Sequence, residues 1–223
     1  TPLEKRDGSR MLRLDRTSGA VTHTHFDSLP DFLKSGDCLV FNDSRVIPAR
    51  LIGVREGHSG LVELLLLKNL GGDKFEALAR PGRRLKEGTR VIFGEGKLAA
   101  EILRKKDDGV TEVKFFYNGI WNEILDELGQ TPLPPYITET LKDRGRYQTV
   151  YAVHDGSAAA PTAGLHFTQK MLSALRDKGV KTVFLTLHVG LGTFRPVKET
   201  EVEKHRMHTE EFILTSEAAD EIN

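Results

Sequence analysis

The sequence predicts an α/β fold interrupted by a small all-β insertion. Three observations carry that expectation. The first fifty residues mix short helical and buried-strand patterns. From about residue 51 to 117, strand-like runs recur with Gly-rich turns between them. After Tyr151 a loop, helix, turn and strand follow in that order, which is α/β character again. Domain bounds follow: 1–50 with 147–223 form a discontinuous α/β part, and 51–146 form the insertion.

Each element has a local reason. AVTHTHF (20–26) alternates apolar and polar residues, as a half-buried strand does. Ser28, Pro30, Phe32 and Leu33 before Gly36 predict a short helix. CLVFN (38–42) is an apolar strand, and RVIPARLIGV (45–54) is another, with Pro48 demanding an edge, bulge or bend. The insertion's strands are LIGV, LVELLLL, FEALA, RVIF, KLAAEIL and VTEVKFF, separated by GHSG, NLGGD, RPGRR, FGEGK and KDDG. Close spacing with such turns predicts a small barrel or sandwich. IWNEILDEL (120–128) has helical spacing and stops at Gly129, and TPLPPYI (131–137) is too Pro-rich for helix. FTQKMLSALRDKG (167–179) is a helix with Phe167, Met171, Leu172 and Leu175 on one face. VKTVFLTLHVG (180–190) and EFILT (211–215) are strands, and SEAADEIN begins a further helix.

Composition narrows the class. With 32 basic and 32 acidic residues the chain is formally neutral, which argues against a protein coated in positive charge. The charges are nevertheless segregated. RPGRRLKEGTR (80–90) holds five cations and one acid, and KDRGR (142–146) is also basic. The single cysteine, Cys38, allows no internal disulfide and fits a reducing, cytosolic setting. The longest apolar run, LVELLLLKNL, is short and carries Glu63, so no membrane span is expected.

Three segments concentrate residues with chemical use. GSAAAPTAGLHFT (156–168) packs small side chains ahead of a helix and then presents His166. Unpaired N–H groups at a helix start attract acceptors, and Gly and Ala let a ligand come close, with Thr162 and Gly164 shaping the approach. A tight packing loop with a satisfied histidine fits the same run, and spacing alone leaves both open. LHVGLGTFRPV (187–197) leaves a strand end, where α/β folds place ligands, with His188, Gly190, Gly192 and Arg195. No third Gly and no following helix complete a dinucleotide fingerprint there. VFNDSRVIPARL (40–51) presses Asp43, Arg45 and Arg50 between apolar runs. Eight histidines raise the question of a metal, but His23/His25 and His205/His208 lack a third ligand in a recognisable pattern, so none is expected.

Together VFNDSRVIPARL, PLPPYI, YQTVYA, GSAAAPTAGLHFT and LHVGLGTFRPV resemble the S-adenosylmethionine:tRNA ribosyltransferase-isomerase family of queuosine biosynthesis, in the family's order over residues 40–197. The family's chains are longer, with a further C-terminal part. The resemblance implies a barrel-like α/β domain interrupted by a small β-barrel. It also implies a reaction. The ribosyl part of S-adenosylmethionine moves to the aminomethyl group of 7-aminomethyl-7-deazaguanine at the wobble position of a tRNA. The sugar rearranges to an epoxycyclopentane, giving epoxyqueuosine and releasing adenine and methionine. S-adenosylmethionine is then a substrate, and no separate cofactor is implied.

That chemistry needs a base near the carbon beside the sulfonium and a donor for the departing adenine. The expected catalytic residues are His166, His188 and Asp43. Arg45, Arg50, Thr162, Gly164, Gly190, Gly192 and Arg195 are expected to hold substrate. Arg80, Arg83, Arg84, Arg90, Arg144 and Arg146, with Lys142, are expected at tRNA phosphates. Tyr136, Tyr147 and Tyr151 could stack on a turned-out base. The expected protein is a cytoplasmic monomer. Two rivals remain at this point: a non-catalytic RNA-binding barrel module, and a hydrolase using His166 with no tRNA.

Overall fold

Residues 3–106, 109–133, 137, 143–190, 192, 199–205 and 207–223 are described in a computed structural model of the chain. In chain order the strands are β1 (Arg10–Leu14), β2 (Val21–His25), β3 (Cys38–Asn42) and β4 (Ser44–Val46). Then come β5 (Arg50–Arg55), β6 (Leu61–Gly71), β7 (Lys74–Arg80), β8 (Arg90–Phe93), β9 (Leu98–Lys105) and β10 (Val110–Tyr117). Helix α1 (Trp121–Leu128) and β11 (Gly129–Gln130) follow, then β12 (His154–Ser157), α2 (Gln169–Asp177), β13 (Lys181–His188), β14 (Glu211–Ile213) and α3 (Ser216–Ile222). The chain divides into two units. One draws on Thr1–Arg45, Ile137–Val189 and Thr200–Asn223, the other on Val46–Tyr136 and Gly190–Glu199.

The second unit is a closed barrel. Its strands run in the order β5-β6-β7-β10-β9-β8, and β8 returns to β5 through Val54 opposite Ile92 and Arg55 opposite Val91. All six strands legible in the sequence are present. The period of two explains the interior. In β6, Val62, Leu64 and Leu66 point inward and are buried, while Glu63 and Leu65 alternate with them. Phe93 and Phe115 fill the middle, with Phe75 and Trp121 packed on Phe115 at ring-centroid distances of 5.6 Å and 4.9 Å. Trp121 lies on α1, whose Leu125 joins the same core.

The first unit is mixed α/β. β13 lies between β3, which is parallel to it, and β14, which is antiparallel. Val183, Phe184 and Leu185 stand opposite Val40, Phe41 and Asn42. On one face of this sheet Phe41 and Phe184 meet Phe167, Met171, Leu172 and Leu175 from α2 and the turn before it. Phe41 and Phe167 pack edge to face at 4.9 Å. β1 and β2 form a hairpin.

Two local expectations shift. The helix expected over Ser28–Gly36 is a 3-10 turn spanning Phe26–Phe32. Pro30 lacks the N–H and has the ring that together bar an α-helical turn around it. The helix expected from Phe167 begins at Gln169 instead. Thr168 caps it, its hydroxyl accepting from the Met171 amide at 3.2 Å, and Thr162–His166 form a separate 3-10 turn.

Candidate active site at the strand ends

The carboxyl ends of the parallel strands β3 and β13 gather polar groups in the α/β unit. Asn42 continues the strand pairing with its side chain. Its amide donates to the Leu187 carbonyl at 2.8 Å, and its oxygen accepts from the Leu187 and Ser44 amides, each at 3.0 Å. That substitution of side chain for backbone turns the chain after β3 and sets the next residue, Asp43, on the face shared by Phe41. One Asp43 oxygen accepts from the Thr186 hydroxyl at 2.7 Å, and the other lies 3.7 Å from His154 Nε2. The Asp43 carbonyl accepts from the Val153 and His154 amides at 2.8 Å and 3.3 Å.

Residues 154–159 cross this end of the sheet. Gly156 has φ +140° and lies under the His188 ring, where a Cβ would come within 2.8–2.9 Å of Cε1 and Nδ1. Ser157 is fully buried, and its hydroxyl accepts from the Val189 amide at 3.0 Å. Val189 also takes the Ala158 and Ala159 amides at 3.0 Å and 3.2 Å. The small-residue run therefore lies against the end of β13 because its backbone is bonded there. The His188 Nδ1 atom is enclosed and has no hydrogen-bond partner among the described residues. Thr186 and His188 lie two apart on β13, so both face Asp43's side of the sheet.

His166 sits in other company. It is half-buried, its ring 5.1 Å from Phe26, with Nδ1 3.4 Å from the Arg6 carbonyl. Arg6 binds the loops on either side, donating to the carbonyls of Gly145 (2.6 Å), Gln148 (2.8 Å) and Leu165 (3.3 Å). Burial, and then the neighbouring charge of Arg146, holds its guanidinium below the ordinary arginine range. Gly164 is buried where a Cβ would overlap the Tyr151 hydroxyl. Tyr151 packs on Phe41 at 4.9 Å, and burial pushes its phenol up to about 12. Thr162 is exposed at the start of the 3-10 turn.

The remaining expected residues are dispersed. Asp43, Arg45 and Arg50 do not pair with one another. Arg45 donates to the Ala152 carbonyl at 2.7 Å with Asp155 at 3.9 Å, and Arg50 bonds Glu63 on the barrel at 2.8 Å. Gly190 and Gly192 group with the barrel unit, and Arg195 lies outside the described residues, as do Lys142 and Tyr136. On the barrel, Arg90 pairs with Glu56 at 3.7 Å, whereas Arg80, Arg83 and Arg84 are exposed and make no ion pair among the described residues. Lys105 reaches the Gly82 carbonyl and adds a fourth cation to that turn. In the α/β unit Arg146 bonds the carbonyls of Glu4 and Leu3, and Arg144 is exposed beside it. Tyr147 is buried and Tyr151 half-buried, so neither ring is offered to a base.

Sequence reasoning missed Thr186 and His154. Thr186 was legible in principle, since LTLH alternates and places it beside His188. His154 carries no periodic signal, and only the fold brings it to Asp43.

A mixed α/β unit with titratable groups at its strand ends, interrupted in sequence by a β-barrel, defines the class of protein. The chain belongs to the queuosine biosynthesis protein family, whose model matches residues 1–223. It is similar to S-adenosylmethionine:tRNA ribosyltransferase-isomerases of Caldanaerobacter subterraneus subsp. tengcongensis (56% identical) and of a Thermoanaerobacter species (54%). Each alignment covers 100% of this chain and 65% of the relative, so the chain spans just under two thirds of their length. A crystal structure of S-adenosylmethionine tRNA ribosyltransferase from Thermotoga maritima is 31% identical, over 84% of this chain and 53% of that one, with a TM-score of 0.35.

Proposed function

We propose that this chain carries the chemistry named for its relatives, transferring and isomerising the ribosyl moiety of S-adenosylmethionine on tRNA. The acceptor is the aminomethyl group of 7-aminomethyl-7-deazaguanine at the wobble position, and the products are epoxyqueuosine, adenine and methionine. The observation that supports this most, beside family membership, is the convergence of Asp43, Thr186 and His188 at the ends of two parallel strands, beneath a loop of Gly and Ala. α/β folds bind ligands at such strand ends. Small residues there let a nucleoside approach the backbone. His188 supplies proton-transfer capacity beside the Asp43 carboxylate, and the bases of this reaction need no redox group. S-adenosylmethionine enters as the ribosyl donor, so no further cofactor is assigned. His166, packed on Phe26, borders the same loop as a second proton-transfer candidate.

For the tRNA, the turn Arg80–Arg84 with Lys105 offers cations that no acid in the described chain neutralises. Such groups bind phosphate and release counterions, so affinity should fall with salt. Arg90 is weaker as a candidate, being paired with Glu56. On the α/β unit the candidates are Arg144 and Arg146, the latter also bonded to the Leu3 and Glu4 carbonyls.

The test is incubation of the chain with S-adenosylmethionine and precursor tRNA, followed by chromatography for free adenine. Adenine released only when both substrates are present is the expected result. Salt-sensitive tRNA binding without adenine would favour the RNA-binding module, and adenine released without tRNA would favour a hydrolase.

A further inference from the structure

We infer that His154 exchanges the proton at the strand-end site and that Asp43 is its positioning residue, an inference that rests on the reading of that site given above. The argument is geometric. Asp43 has one oxygen fixed by the Thr186 hydroxyl at 2.7 Å, which turns the other toward His154 Nε2 at 3.7 Å. The backbone holds the two residues next to each other, since the amides of Val153 and His154 both end on the Asp43 carbonyl. The carboxylate lies behind and the imidazole in front: their side chains are 13% and 60% exposed. The hydroxyl is hydrogen-bonded to the carboxylate and the imidazole stands 3.7 Å beyond it, outside hydrogen-bond distance, in a row that runs from the buried sheet face to the open side of the site.

A carboxylate beside Nε2 favours the tautomer with the proton on that nitrogen. Nδ1 then carries the ring's lone pair. The same logic orients the histidine of a hydrolytic triad, where the acid holds the ring and stabilises the imidazolium without taking the proton. The other titratable groups on the elements around His154 are Arg45 and Asp155, 3.9 Å apart, and His188, packed on Gly156 two residues along. His154 Nδ1 accepts the proton from the carbon beside the sulfonium. The C–H bond breaks, its electron pair stays on carbon next to the positive sulfur, and the new N–H bond leaves an imidazolium facing the Asp43 carboxylate.

The experiment has two readouts. In the wild-type chain, ¹⁵N-edited NMR of the neutral His154 ring should show the Nε2–H tautomer in excess of its share in a free histidine, where it already predominates, and Asp43→Asn should return it to the free-ring balance. His154→Gln, at an exposed position that leaves the fold intact, should lower adenine release about 100-fold or more. A tautomer balance unchanged by Asp43→Asn overturns the inference whatever the turnover. So does a His154→Gln chain that keeps adenine release within a few fold of wild type, and in that case the ribosyl-transfer reading survives. A wild-type chain that releases no adenine sinks the ribosyl-transfer reading instead, and the tautomer result then decides alone whether Asp43 positions His154.

Discussion

The barrel and the α/β unit spend their apolar residues differently. The barrel closes on itself and buries a continuous interior, from Leu51 and Leu64 through Phe93 and Phe115 to Leu125 on α1. No titratable side chain belongs to that interior cluster. The α/β unit has a smaller cluster around Phe41 and Phe167, and immediately above it on the same sheet face stand Asp43, Thr186 and His188. A closed sheet removes its own edges and needs no polar interior. An open parallel pair ends in a row of side chains and backbone groups that only a crossing loop or a ligand can cover. The larger apolar cluster lies in one unit and the polar strand-end cluster in the other.

The hardest blow to that contrast is Phe115→Ala. Phe115 is 1% exposed and touches Phe75, Phe93 and Trp121, so truncation should cost about 3–5 kcal/mol. Denaturant unfolding followed by the lone tryptophan, Trp121, reads this directly, because Trp121 packs on the missing ring. A loss under about 1 kcal/mol would mean that the barrel interior tolerates collapse.

A smaller effect belongs to the α/β unit. Gly164→Ala drives a methyl into the Tyr151 hydroxyl and should cost about 1–3 kcal/mol. The Gly164→Ala, Tyr151→Phe double variant should recover part of that loss, because the clashing oxygen is gone. If the two substitutions simply add, the clash is not the cause. The phenol supplies a pH test as well. Its folded value, about 12, lies above the ordinary tyrosine value near 10, so burial favours the neutral form. The stability it contributes is whole below pH 10 and is lost as pH rises from there through 12. Ultraviolet difference titration should show one tyrosine ionising only in that upper range. Tyr117, held up by its hydrogen bond to Asp73, shifts in the same direction, so Tyr151→Phe identifies which transition belongs to which ring.

The barrel was far more legible in the sequence than the site. Its strands alternate inward and outward residues, and turn residues punctuate them, so local pattern and final structure agree. The α/β strands β3, β13 and β14 were legible as short apolar or β-branched runs, without clean alternation. The helix starts were misjudged where a single residue decided the outcome: Pro30 converted an expected helix to a 3-10 turn, and Thr168 capped α2 two residues later than the apolar face suggested. The site depends on contacts between residues more than a hundred positions apart, such as Asp43 with His154 and Thr186. No spacing rule encodes those. His166 stood out in sequence because it closes a run of small residues, but Arg6 and Phe26, its actual neighbours, come from the far end of the chain.

The smallest effect on folding should accompany a large effect on binding. Arg80, Arg83 and Arg84 are exposed and unpaired with any acid among the described residues, so replacing all three with Gln should change stability by no more than about 0.5 kcal/mol per site. If the turn binds phosphate, each removed contact should flatten the dependence of log affinity on log salt by about one unit. Arg90→Gln separates contact from mere proximity, because Arg90 already faces Glu56 at 3.7 Å and rests over the Phe116 ring at 5.8 Å. It should cost less RNA affinity than any one of the three. Fluorescence anisotropy with labelled tRNA between about 50 and 200 mM salt covers the range where such slopes are readable. An unchanged slope in the triple variant would remove the barrel from tRNA recognition and leave that task to Arg144 and Arg146 on the unit that carries the strand-end site.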